Sequence, residues 1–170
     1  MRCWQTKIVE QRPKKFKHAI PIASPASGKI LDLASTNSPT AALRMFGEGI
    51  ALQLSGQQIN SPVNGKIIEL SPTGQSVRIK AKTGVNLLIS FVDDLSSFMG
   101  SPFHKDVQVG QSVAQGDSLL RFDLNQLKTR HPHVYLSVTI GNADRLHSIV
   151  PSQYGRKVMA SIDDVMTLYV

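Results

Sequence analysis

Two stretches, SPASGKILDL (24–33) and SPVNGKIIEL (61–70), share Ser, Pro, Gly, Lys, Ile and a final Leu at a spacing of 37 residues. In each copy Pro ends an incoming strand, Gly supplies a turn conformation that a β-carbon resists, and an alternating strand follows. A duplicated β-hairpin is the simplest source of such a pair. A looser pair follows the same logic: GQSVAQGDSLLRFD (110–123) echoes in GRKVMASIDDVMTLYV (155–170), with Ser161 where a turn glycine is expected.

Around these repeats the chain consists of short apolar runs bounded by Gly, Pro, Ser and Asn. Strands are predicted over 28–34, 49–54, 65–70, 76–81, 85–91, 118–123, 134–140 and 164–170, because a period of two outranks a period of 3.6 in each. Two short helices are predicted, over 95–99 and over 125–130 behind an Asp123 cap. The expected fold is all-β, an antiparallel sandwich or barrel with a duplicated hairpin and one or two short helices.

The 170 residues make one domain's worth of chain. Cys3 is the only cysteine, which excludes an intramolecular disulfide or a cysteine-based zinc site and fits a reducing compartment. No apolar run approaches the roughly 20 residues that span a bilayer, and a cytoplasmic protein is expected. The net charge is +7, but residues 1–18 hold six basic side chains against Glu10 alone, leaving +2 for the remainder. That distribution argues against nucleic acid, which needs a basic face on the folded body. Residues 1–19 are expected to form a basic tail and residues 20–170 the domain. The tail reads as a solvated arm, with weak anionic-membrane contact through residues 1–18 as the alternative.

Residues 21–170 resemble the glucose-class (type-1) EIIA domain of the bacterial phosphoenolpyruvate-dependent sugar phosphotransferase system. The segments that carry the resemblance are FGEGIALQ (46–53), SPVNGKI (61–67), TGVNLLISF (83–91), GQSVAQGDSLLRFDLNQL (110–127) and the strand ending in Gly141-Asn142. The resemblance implies a β-sandwich and phosphoryl transfer through a histidine that accepts from the carrier HPr and donates to an EIIB domain. A second histidine supports it. An imidazole suits the task as a neutral nucleophile whose phosphoryl adduct stays reactive.

Here the acceptor position is Ser90 and the supporting position is Gln75; Thr73 and Asp94 are retained neighbours. The histidines present, His18, His104, His131, His133 and His147, cannot be shifted into either place. A serine nucleophile needs a base, and Asp94 is the only nearby candidate. The expected partner-binding face carries Ala41, Phe46, Ser71, Val77, Leu88 and Val92, with Arg78 and Lys80, joined by Lys82, on one strand face. Because HPr presents a basic surface, these cations would oppose its approach.

The implied function is an EIIA-like protein that has lost phosphoryl transfer and acts as a regulatory module, with phosphotransferase components, permeases or metabolic enzymes as partners and no cofactor. The alternative is an active phosphocarrier with a nonstandard acceptor such as Ser90 or His104. A lysostaphin-type zinc peptidase, resembled by His131-Pro132-His133, ranks lowest because the remaining ligands are missing. No metal site is expected.

Overall fold

The computed structural model describes residues 7–170. In chain order the first strands are β1 (Ala19–Ala23), β2 (Gly28–Leu31), β3 (Glu48–Leu54), β4 (Gln58–Asn60), β5 (Gly65–Leu70), β6 (Ser76–Ala81) and β7 (Asn86–Phe91). They are followed by β8 (Phe103–Lys105), β9 (Ser112–Val113), β10 (Ser118–Phe122), β11 (Tyr135–Ile140), β12 (Ser148–Pro151), β13 (Lys157–Val158) and β14 (Asp164–Tyr169). Helix α1 is Pro39–Ala42 and α2 is Leu124–Lys128.

One eight-stranded sheet has the order β13-β2-β3-β11-β7-β6-β5-β9, and two three-stranded sheets have the orders β1-β14-β12 and β4-β10-β8. All the strand pairings are antiparallel. Ile22, Ile30, Leu52, Ile67, Leu87 and Leu119 fill the space between the sheets. Every residue of β11 is buried. Its outer side is covered where Leu33 and Ala41 pack on Ala51 of neighbouring β3.

The repeats superimpose bond by bond. Ser24 and Ser61, both fully buried, donate their hydroxyls to the carbonyls of Ala26 (2.6 Å) and Val63 (2.7 Å). Their amides bind the carbonyls of Asp163 and Asp117, and their carbonyls accept from the amides of Ser161 and Gly116, each at 2.8 Å. Gly28 lies opposite Val158 as Gly65 lies opposite Val113. The two halves are therefore related by an approximate twofold axis, and the looser repeat is as real as the tighter one. Ser161 turns with φ +65° where Gly116 turns with φ +93°.

Several expectations need correction. The predicted strand over 28–34 stops at Leu31, because Asp32 accepts the Ala34 amide at 2.8 Å and caps a 3₁₀ turn over Leu33–Ser35. The predicted helix over 95–99 is a 3₁₀ turn, Ser96–Phe98, and that over 125–130 is α2, capped by Asp123 as expected. Residues 7–18 are not a free arm: Ile8 bridges Ile149, the Lys17 amide reaches the Val170 carbonyl, and Phe16 meets Tyr169 edge-on at 4.9 Å. Ile8 and Phe16, which membrane contact through residues 1–18 would need free, are thus engaged by the domain. Residues 1–6, which include Trp4, lie outside the described residues.

Candidate functional site

Strand register builds the site. Ser76 lies opposite Ser90 across β6 and β7, Ser90 opposite Ser137 across β7 and β11, and Ser137 opposite Ala51 on β3. Directly opposed residues share a face, so three hydroxyls and a methyl form one row across the sheet. Ser137 donates its hydroxyl to the Ser90 carbonyl at 3.1 Å, and Ser90 donates its own to the Phe91 carbonyl at 3.1 Å.

Gln75 sits one residue ahead of β6, and its carbonyl accepts the Phe91 amide at 2.9 Å. The backbone at the two positions where the resemblance places imidazoles is thus adjacent, with Gln75 opposite Phe91 and not opposite Ser90. Ahead of Gln75, the loop is tied down by Ser71, whose amide binds the Ser76 carbonyl and whose hydroxyl accepts the Ser76 amide, both at 3.0 Å. Gly74 takes φ +79° with a β-carbon's space already held by Leu120, Lys105 and Phe103. Thr73 is exposed at the loop tip.

Asp94 is exposed and turned to a structural task. Its carboxylate accepts the Ser96 amide at 3.1 Å, and the Ser96 hydroxyl and amide hold it below the ordinary 3.8. Ser90, with its hydroxyl on the Phe91 carbonyl, has no general base among its hydrogen-bond partners.

The residues assigned to the partner face separate into two groups. Phe46 is 55% exposed, while Ala41 and Leu88 are buried and Val92 is half-buried against the Leu33, Ala41 and Ala51 cluster. Val77 does not belong to this face: strand alternation turns it into the core, opposite in direction to Arg78 and Lys80. Arg78 pairs with Glu69 at 3.0 Å, Lys80 is exposed, and Lys82 lies beyond the end of β6 rather than on it.

Leu43 and Met45, 74% and 68% exposed, extend the apolar surface of Phe46 and escaped the sequence reading. Arg44 has φ +54° and reaches inward to Glu48 (2.8 Å) and Asp32 (3.5 Å), which leaves its two neighbours facing outward. The readable signal was Ser38-Pro39, the start of α1, where the Ser38 hydroxyl accepts the Ala41 amide.

His131 and His133 turn to different neighbours, His131 toward Asp93 at 3.9 Å and His133 to the Gln53 amide at 2.9 Å. Among the described residues no cluster of three or more His, Cys, Asp or Glu side chains is placed to hold a metal.

The fold and its duplicated hairpins define an all-β, antiparallel sandwich. Residues 20–146 match the family model for the phosphoenolpyruvate-dependent sugar phosphotransferase system, EIIA 1. The chain is 32% identical over 128 residues to a PTS system glucose-specific EIIA component of Bacillus cereus, covering 75% of this chain and 78% of that protein. It is 31% identical over 124 residues to the component of the same name from Haemophilus influenzae, covering 73% and 75%. The solved glucose permease IIA from Mycoplasma capricolum has the same fold, with a TM-score of 0.78, 24% identity, and coverage of 89% of this chain and 96% of that one. The chain belongs to the EIIA 1 family of the phosphoenolpyruvate-dependent sugar phosphotransferase system.

Proposed function

We propose that this chain is a cytoplasmic EIIA component that does not relay phosphoryl groups and instead acts through protein contacts in sugar uptake or its regulation. The observation that carries the reading is the Ser90 hydroxyl, bound to the Phe91 carbonyl, at the position where the resemblance places the acceptor imidazole, with glutamine at the supporting position 75. An alcohol without a base is a poor nucleophile at neutral pH. The domain keeps an apolar surface: Leu43, Met45 and Phe46 are exposed, and the Thr139 hydroxyl on β11, two residues from Ser137, donates to the Phe46 carbonyl at 3.2 Å. Exposed apolar clusters of this kind seat protein partners.

Membership of the phosphotransferase family supports other proteins of that system as partners, and permeases or metabolic enzymes are partners that the resemblance implies. Lys80 and Lys82 disfavour a basic carrier such as HPr, while Arg78 is largely answered by Glu69. A protein without the phosphoryl switch holds one signalling state permanently.

The test is incubation with phosphoenolpyruvate, Enzyme I and HPr, followed by intact-mass spectrometry beside a histidine-containing EIIA. No adduct is expected while the control is labelled. An acid-labile adduct would overturn the proposal and direct mapping to His104, His131 and His133; an acid-stable one would assign the acceptor to Ser90.

A further inference from the structure

At the β13 end of the large sheet, Lys157 lies directly opposite Lys29 on β2, and Lys29 lies opposite Gln53 on β3. Like charges directly opposed destabilise a ladder. On the matching flank of the other half Lys66, the twofold mate of Lys29, faces Ser112, although on its other side it lies opposite Lys80 of β6. Lys128, the last residue of α2, brings a third ammonium to the same place, and the three lysines line an open groove of about 490 Å³. Among the described residues none of the three has a carboxylate within ion-pair distance.

We propose that this groove binds a small organic anion carrying at least two negative charges, of the phosphate-ester or polycarboxylate class. Its volume falls within the range of small-ligand sites, roughly 300–1,000 Å³. Ser27, Gln53 and Ser55 line the groove with polar groups, the Gln53 amide keeping one hydrogen beyond its bond to His133 and the Ser27 hydroxyl its proton beyond the bond accepted from the Ala160 amide, while Val158 and Met159 add apolar lining. Ammonium groups recognise carboxylate or phosphate as point charges from several directions, so three around one cleft favour a multiply charged occupant over a single carboxylate. Lys157 on β13 and Lys29 on β2 lie four and three strands from β7, which carries Ser90.

The experiment is calorimetric titration of the full chain with citrate, pyrophosphate and fructose 1,6-bisphosphate at about 0.1 M salt, where surface charge is screened beyond about 10 Å, with amide NMR shifts to locate binding. At least one probe is expected to bind one-to-one with shifts centred on Lys29, Gln53 and Lys157. Lys29→Gln and Lys157→Gln are each expected to weaken it about tenfold, the loss of one charge-assisted contact. Lys29→Arg should retain most of the binding, and Lys66→Gln should leave it unchanged. Cooperative thermal unfolding of each variant at or above the parent midpoint, as expected when a like-charge opposition is relieved, excludes misfolding as the cause. The proposal is overturned if no probe saturates, if the shifts fall elsewhere, if Lys66→Gln weakens binding as much as Lys29→Gln, or if only an acidic peptide such as oligoglutamate binds.

Discussion

Ser161 and Gly116 face one another across the approximate twofold axis, where a β-carbon on Gly116 would lie 3.9 Å from the Ser161 hydroxyl oxygen. Both take positive φ, but only Ser161 has a compensating bond, accepted from the Asn60 side-chain amide at 3.0 Å. Left-handed backbone costs a non-glycine residue about 1–2 kcal/mol. Gly116→Ala should therefore destabilise the domain by about that amount. Ser161→Gly should change stability by less than about 1 kcal/mol, because relieved strain is offset by the lost hydrogen bond and a freer unfolded chain. Urea unfolding of the two variants distinguishes these outcomes.

Asn142 holds the start of β7. Its side-chain carbonyl accepts the Asn86 amide at 2.8 Å and its amide donates to the Gly84 carbonyl at 3.0 Å. Asn142→Ala would strand a partly buried donor, at a cost of about 1–3 kcal/mol. A drop in the urea midpoint with unchanged slope is expected.

Asp106 ties β8 to β10 through a two-pronged bond from Arg121 (2.8 and 2.9 Å) and the Ser118 hydroxyl at 2.6 Å. The Arg121 guanidinium is the main cause that pulls its carboxyl from 3.8 down to about 2, and Ser118 adds to the effect against the opposing influence of burial. A depressed folded value means that this stabilisation is full above the unfolded value near 3.8 and is lost as pH falls through about 2. In Arg121→Gln the carboxyl should titrate nearer 3.8, and the stability gap between the proteins should close between pH 4 and pH 2, as NMR titration and acid unfolding would record.

Restoring imidazoles tests whether the scaffold still supports the family chemistry. Gln75→His with Ser90→His should form an acid-labile adduct with phosphorylated HPr that the parent chain does not, but more slowly than a histidine-containing EIIA because Lys80 and Lys82 oppose the basic carrier. Failure of the double variant, with its fold intact by circular dichroism, would mean that the docking surface and not only the acceptor has changed.

Phe16 packs edge-on against Tyr169 and beneath the Arg12 guanidinium at 4.6 Å. Phe16→Ala should cost about 1–2 kcal/mol by removing a half-buried ring and an aromatic pair. Proteolysis within residues 7–18 should become faster in the variant.

The central strands were legible because β3, β5, β6 and β7 carry strong alternation or continuous aliphatic runs between turn residues. Strands β9 and β13 are two residues long and owe their existence to the partner strand rather than to any pattern of their own. Strands β1 and β12 contain Pro21 and Pro151, which mask them, although both are edge strands where proline is tolerated. Positions 75 and 90 acquired meaning only through resemblance, since glutamine and serine in a β protein signal nothing by themselves. The Lys29–Lys157 opposition depends on the register of residues far apart in the chain, which no local pattern specifies.

The pairing of β1 with β14 sets the timing of birth for this protein. Ala23 finds its opposite residue only in Asp164. At the ribosomal pace of about 5–20 residues per second, the nascent chain carries β1 without its mate for roughly 7–30 s. An open strand edge is a template for pairing with another chain. Pro21, which lacks an amide hydrogen in the middle of β1, makes that template a poor one during the wait.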